Sequence, residues 1–389
     1  MPNRRVFLMY SAAFSNLSSN IAEDENDLCG GAIPAAGSSD VLLVYSHHLD
    51  RTGDSNIPTN PVLVRVYKDL QGKQRRDTLT VYPDTDVSAS AEVFHKVLCE
   101  VKDKFPASSY GLLFTSHAKG WLPVGFNDSY PEYDVWGAPM LRAFSLNHRS
   151  PERVVYPLTK CLGIEYGKNT GIDIRDLADA IPMKLDFFLM DACLMGCVEV
   201  AYEIKDKCKY LVFSPTEILS NGFMYYSMAG HLMNTPTPDL KRICEEYYEF
   251  YNAQSGVYKS ATITMVDCSK IDALAQVCKD IVSSHRDGLD AINRNDVQPY
   301  FYYNYSDTLP WFYDLRDVME KAGATVQELS LLDAALDECL MYKASTETFF
   351  DLKLERVCGM SMYLPYPNKL ELNNYYKTLS WNKATGLIQ

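Results

Sequence analysis

Two segments set a reactive side chain just past an apolar run. In "FFLMDACLMG", Cys193 follows a run that breaks at Asp191. In "GLLFTSHAKGW", His117 follows a second such run. A thiol held where a buried strand ends and a helix begins gains from the partial positive charge of the helix N-terminus, which favours thiolate. An imidazole opening into the same cleft can act as general base and later return the proton to a leaving amine. Gly120 and Gly196 give both turns backbone freedom for close approach to a chain-like substrate. The backbone N–H groups of Ala118, just after the histidine, and of Cys193 are placed to form an oxyanion hole. Taken one at a time, Cys193 reads as a buried inert thiol and His117 as an ordinary loop histidine. Their placement at two strand ends is what raises them together. Cys197 reads as packing, one turn further along the same helix.

The elements that must position these residues follow from the apolar pattern. Strands are expected at "RRVFLMY", "DVLLVYSH", "PVLVRVYKD", "DTLTVYP", "YGLLFTSH", "KLDFFLMDAC", "KYLVFSP" and "SATITMVD". Between several of them lie stretches with helical spacing: "SNLSSNIAEDENDL" with Ser18 or Ser19 as N-cap, "SASAEVFHKVLCEVKDKF", "DIRDLADAI", "LMGCVEVAYEIKD" and "TPDLKRICEEYYEFYNAQ". Strands alternating with helices predict an α/β fold with a mainly parallel sheet covered on both faces. Ligands of such sheets bind beyond the carboxyl ends of the strands, where His117 and Cys193 both fall. Residues 1–297 form the expected α/β core. Residues 298–389 form a C-terminal extension or subdomain that continues the same domain, with helices and a late strand near 359–365. A long irregular stretch, about 118–170, separates the two motifs.

Bulk composition narrows the class. The chain has 389 residues, 47% hydrophobic and 22% charged, enough for a sizeable core. A net charge of −13 argues against nucleic acid as partner and suits cationic ligands. No segment reaches the ~18 apolar residues of a membrane span. The opening "MPNRRVFLMYSAA" reads as a first strand, so a signal peptide is not expected within this sequence. The eleven cysteines include no CxxC pair and no zinc-finger spacing, which disfavours a redox enzyme and a zinc site.

"FTSHAKGWLP" and "LMDACLMGCVEVAYEI" resemble the His and Cys motifs of clostripain-type cysteine peptidases, in the clan of caspases, legumain and gingipains. "VFLMYSAAFSNLSSNIAED", "YLVFSPTEILSNGFMYYSM", "GMSMYLPYP" and "YYKTLSWNKATG" resemble other segments of that family, in the same order along nearly the whole chain. The resemblance implies a caspase-like α/β/α sandwich, and peptide-bond hydrolysis by a dyad of Cys193 and His117. It implies peptide or protein substrates cut after Arg or Lys, and a secreted or cell-envelope enzyme of a bacterium. Strand geometry adds Asp191, two residues before Cys193 and so on the same side, as a carboxylate for a cationic side chain. The competing reading of Asp191 is a cap for the next helix. Thr216 and Asn221 are further pocket candidates.

Family members often mature by self-cleavage between the two motifs, which directs attention to Arg142, Arg149, Arg153 and Lys160. Some need calcium; here no cofactor is required by the sequence, and the acidic "AEDEND" reads as a solvated helix face without an EF-hand pattern. The chain departs from the family pattern at Ala118, usually glycine, at Lys119, which adds a positive charge near the cleft, and at Asn221, where relatives are more acidic. These departures keep open an alternative: a peptide- or glycan-binding surface protein on a peptidase fold with impaired turnover.

Overall fold

The computed structural model describes residues 3–12, 17–50, 57–126, 171–300 and 310–389. Nine strands form one sheet: β1 (Asn3–Ala12), β2 (Asp40–His47), β3 (Val62–Lys68), β4 (Gln74–Val81), β5 (Ala107–Thr115), β6 (Leu185–Asp191), β7 (Cys208–Phe213), β8 (Thr262–Asp267) and β9 (Leu340–Ser345). Their order is β9-β8-β7-β6-β5-β1-β2-β3-β4. The five middle strands, β7 to β2, run parallel. An antiparallel pair closes each side.

Sequence explains this division. The middle strands are nearly continuous apolar runs, as burial on both faces requires; β1 and β2 are buried along almost their whole length. The outer strand β4, "QRRDTLTV", is largely exposed. Its charged residues discourage pairing with another sheet edge.

Helices cover both faces. On one lie α1 (Ser18–Gly30), α5 (Tyr225–Met233) and α6 (Leu240–Asn252). Arg5 of β1 points into this layer and donates to the carbonyls of Leu232 and of Pro236, the latter at 2.9 Å. On the other face lie α2 (Ala91–Lys104), α3 (Ile174–Asp179), α4 (Val198–Ile204) and α7 (Ile271–Ser284). There Tyr10 stacks on Tyr45 at 4.3 Å and meets the Phe94 ring of α2 edge-on at 5.0 Å. This is the α/β/α sandwich that the periodicity predicts.

Three local expectations change. The residue capping α1 is Leu17, with no side-chain cap; Ser18 is already helical. The segment 359–365 forms only a two-residue strand, Ser361–Met362, paired with Tyr313–Asp314. Its backbone is drawn instead to the nucleophile motif, where Ser361 N–H donates to the Gly196 carbonyl at 3.0 Å. The C-terminal region's strand in the main sheet is β9, whose half-exposed edge position leaves too weak an apolar alternation to be read from sequence.

Candidate active site

The carboxyl edge of the sheet carries a polar row. Register pairs Ser46 with Ser11, Ser11 with Thr115, and Thr115 with Asp191. Thus four adjacent parallel strands turn polar at one level, on the face covered by α1, α5 and α6. His117 and Cys193 each lie two residues beyond the last paired position of neighbouring strands. The two motifs therefore leave the sheet side by side.

The turn at Cys193 differs from the sequence reading. Helix α4 begins only at Val198, with Cys197 at its N-cap. Residues 192–197 are a non-helical turn, so Cys193 does not stand at the start of the helix as expected. Cys197 is not one helical turn above Cys193; it bridges to Ser361. Leu194 sits at φ 62, a left-handed conformation unusual for a branched side chain. The turn is fastened to the next strand's exit: Leu194 N–H donates to the Thr216 carbonyl at 2.9 Å, and Gly196 N–H to the Ser214 carbonyl at 2.8 Å. Gly196 packs so closely that a Cβ would lie 2.3 Å from the Pro215 nitrogen.

The donor at the Cys193 sulfur comes from that same segment. Ile218 N–H donates to Sγ at 3.3 Å, and the thiol lies 3.7 Å from the Ile218 carbonyl oxygen. A backbone N–H aimed at sulfur favours thiolate in the way expected of the helix end. Cys193 is fully enclosed in this structure.

On the histidine side, Ser116 Oγ donates to the Ala12 carbonyl at 3.2 Å, tying this exit to β1. His117 is half-buried and Ala118 buried. Gly120, at φ +55, touches the nucleophile turn directly. A Cβ there would lie 2.6 Å from the Leu194 carbonyl oxygen and 2.5 Å from the Phe312 ring. Trp121 is buried beside it, 4.6 Å from the Tyr363 ring and 4.9 Å from the Tyr376 ring. Those two tyrosines also hold Glu199: Tyr363 N–H and Tyr376 O–H donate to its Oε1 at 2.8 and 2.6 Å. Burial pushes the Glu199 carboxyl up, against the pull of these donors.

Asp191 is not a helix cap. It is fully buried, accepting from Thr115 Oγ1 at 3.2 Å and from the Tyr225 hydroxyl of α5. Burial, then the charges of Asp191 and Asp24, hold the Tyr225 hydroxyl far above its ordinary range. The acidic run "AEDEND" is only partly a solvated face. Asp24 and Glu25 turn inward, and Glu25 takes Ser46 Oγ at 3.0 Å and His48 Nε2 at 2.9 Å. Among the described residues, no group of three or more His, Cys, Asp or Glu is arranged to hold a metal ion. The inward acids have protein partners, so this run does not fit a calcium loop.

The other pocket candidates separate. Thr216 is buried, with its hydroxyl engaged by Thr262 at 2.7 Å, Ser214 and the Glu217 carbonyl. Asn221 is exposed, next to Gly222, whose carbonyl accepts from Tyr251 O–H at 2.8 Å. Arg142, Arg149, Arg153 and Lys160 lie outside the described residues. Sequence reasoning missed Ile218, Leu194, Tyr225 and Tyr247. A backbone donor leaves no mark in sequence. The i, i+4 spacing of Tyr247 and Tyr251 on an amphipathic helix was the visible signal.

The sheet order and the two helical layers define a caspase-like α/β/α fold, with His117 and Cys193 leaving adjacent strands at its carboxyl edge. The clostripain family model matches residues 152–386, more than half of the chain, and the chain belongs to that family. Among solved structures it is similar to an inactive zymogen C11 protease from Parabacteroides distasonis, with a TM-score of 0.77, 25% identity and 99% of each chain covered. It is similar in fold to a secreted C11 cysteine protease from Bacteroides thetaiotaomicron, with a TM-score of 0.74, 22% identity and 99% of each chain covered. The same holds for a secreted C11 cysteine protease from that organism in complex with an irreversible peptide inhibitor, with a TM-score of 0.74, 23% identity and the same coverage. No curated protein sequence matches the chain. The protein is a cysteine peptidase, and no helix among the described residues is long and apolar enough to cross a membrane.

Proposed function

We propose that this peptidase cuts peptide bonds after Arg or Lys with Cys193 as nucleophile and His117 as general base and acid. The observation that supports the reading is the pairing of Thr115 with Asp191 on adjacent parallel strands, with His117 and Cys193 each two residues beyond that pair. The Cys193 thiolate attacks the scissile carbonyl carbon, and the carbonyl oxygen becomes an oxyanion facing the N–H groups of Cys193 and Ala118. His117 protonates the departing amine as the C–N bond breaks, leaving a thioester. Water then attacks the thioester, His117 taking its proton, and the acid product leaves as the thiol re-forms.

Asp191 is the main specificity carboxylate in this reading. A buried carboxylate stabilises a guanidinium or ammonium far more than an exposed one does. Thr216, buried, and Asn221, exposed, are the further pocket candidates of this reading. The chain's net charge of −13 adds long-range attraction for basic substrates. The enclosed Cys193 fits a precursor, matured by self-cleavage in the 118–170 region at Arg142, Arg149, Arg153 or Lys160. A secreted enzyme of a bacterial envelope fits the secreted neighbour.

The test is a peptide library incubated with the enzyme and with Cys193→Ala, with cleavage sites read by mass spectrometry. Cuts made chiefly after Arg and Lys support the reading. Cuts made chiefly after small or apolar residues overturn the role of Asp191. A chain that, once cleaved in the 118–170 region, labels at no cysteine with a peptidyl acyloxymethyl ketone and cuts nothing overturns the dyad in favour of a binding protein.

A further inference from the structure

Among the described residues, Tyr247 is the one fully buried tyrosine beside this site whose hydroxyl has no hydrogen-bond partner. It is fully enclosed on α6, on the face that carries Ile243, Cys244 and Tyr251 into the core. Its ring packs 5.1 Å from Phe223 and 4.8 Å from Tyr251. Tyr251, four residues on, donates to the Gly222 carbonyl. This face of α6 therefore lies against Gly222 and Phe223, a few residues beyond Ile218, whose N–H meets the Cys193 sulfur.

The neighbours show how unusual this is. Tyr225 has Asp191, Tyr251 has Gly222, Tyr376 has Glu199, and Tyr363 has Asn373. Buried hydroxyls nearly always find a partner, and an unmade bond costs stability. Phenylalanine would give the same packing without that cost. Burial, followed by the charges of Asp191 and then Cys193, holds the Tyr247 hydroxyl far above its ordinary range. The hydroxyl is thus neutral at working pH and feels the charge of both groups.

A cationic side chain entering this site brings more N–H groups than one carboxylate can take. A guanidinium has five and an ammonium three. In a pocket closed to water, each one left over needs an acceptor. We propose that Tyr247 is a specificity-determining residue: its hydroxyl oxygen accepts an N–H from the Arg or Lys side chain that Asp191 binds. The inference rests on the reading of Asp191 and Cys193 given above. Asp191, Cys193 and Tyr247 are each fully buried, so a side chain bound by Asp191 is likewise held out of water.

Tyr247→Phe removes one oxygen and keeps the ring. Wild type and variant, each counted by titration with a peptidyl acyloxymethyl ketone, are compared on fluorogenic peptides with Arg, Lys or norleucine before the scissile bond. The expected result is a roughly tenfold loss of kcat/KM for Arg and Lys, carried mainly by KM, because one hydrogen bond to a charged group is removed. Norleucine cleavage stays unchanged, and the melting temperature is unchanged or higher. Unaltered Arg and Lys kinetics overturn the proposal. So does an equal loss on all three substrates with a lower melting temperature, the mark of a packing role. Cys193→Ala and Asp191→Asn run beside it: cleavage that survives Cys193→Ala, or an Arg preference that survives Asp191→Asn, contradicts the underlying site instead.

Discussion

Ile218 N–H donates to the Cys193 sulfur at 3.3 Å, and the Ile218 carbonyl stands 3.7 Å from the same atom. One residue, brought from the exit of the neighbouring strand, brackets the candidate nucleophile with a donor and an acceptor. The N–H favours the thiolate, while the carbonyl accepts from the thiol.

This contact predicts how the thiol ionises. Ile218→Pro deletes the donor; Ile218→Ala keeps it and trims only the side chain. The rate of alkylation by iodoacetamide at pH 6 follows the thiolate fraction. The proline variant is expected to react about tenfold more slowly, one pKa unit's worth, and the alanine variant at nearly the wild-type rate. Equal slowing in both variants would mean that the side chain, not the amide, matters.

Gly120 predicts a structural failure that is also a functional one. A methyl group at Gly120 meets the Leu194 carbonyl oxygen at 2.6 Å, in a backbone conformation that L side chains resist. Gly120→Ala is expected to cost about 2–3 kcal/mol of stability and to reduce turnover further by parting the His117 turn from the Cys193 turn. Urea unfolding and kcat/KM measure the two effects. A variant of wild-type stability would contradict the packing described.

Asp191 predicts a change of preference rather than a general loss. Asp191→Asn keeps an acceptor for Tyr225 but removes the charge. Cleavage after Arg or Lys is expected to fall by about 10²–10³-fold, the size of a lost buried ion pair. Cleavage after norleucine should fall far less. Side-by-side kinetics on matched peptides decide it.

Glu199 predicts a pH dependence of stability. Burial raises its carboxyl above the value it has in the unfolded chain. Its stabilising contribution is therefore complete below the unfolded pKa and is lost as pH rises through the folded one. Glu199→Gln cannot titrate and retains an oxygen for Tyr363 N–H and Tyr376 O–H. Relative to wild type, it is expected to gain stability between pH 4 and pH 7. Thermal melts across that range test it, and a gap that stays constant or moves the other way would contradict the raised carboxyl.

Much of the frame was legible because it rests on apolar runs. "VFLMY", "VLLVY" and "DFFLMD" are buried on both faces, and their order with the helices yields the parallel centre of the sheet. His117 and Cys193 were legible because each follows such a run. The path of the chain after Cys193 was not. "LMGCVEVAYEI" has helical spacing throughout, yet residues up to Gly196 are held by Ser214 and Thr216, so tertiary hydrogen bonds outweigh local propensity and delay the helix to Val198. Strand β9 was hidden by its edge position. The "AEDEND" run looked solvated because its two inward acids, Asp24 and Glu25, are distinguished from the outward ones only by their partners in α5 and β2.

The most direct measurement is turnover by Cys193→Ala on peptides that the wild-type chain cleaves, with circular dichroism to establish that the fold is kept. The account predicts a folded protein with kcat/KM reduced by about 10⁴-fold or more and no labelling by a peptidyl acyloxymethyl ketone. A folded Cys193→Ala protein that still cleaves at near the wild-type rate would contradict it.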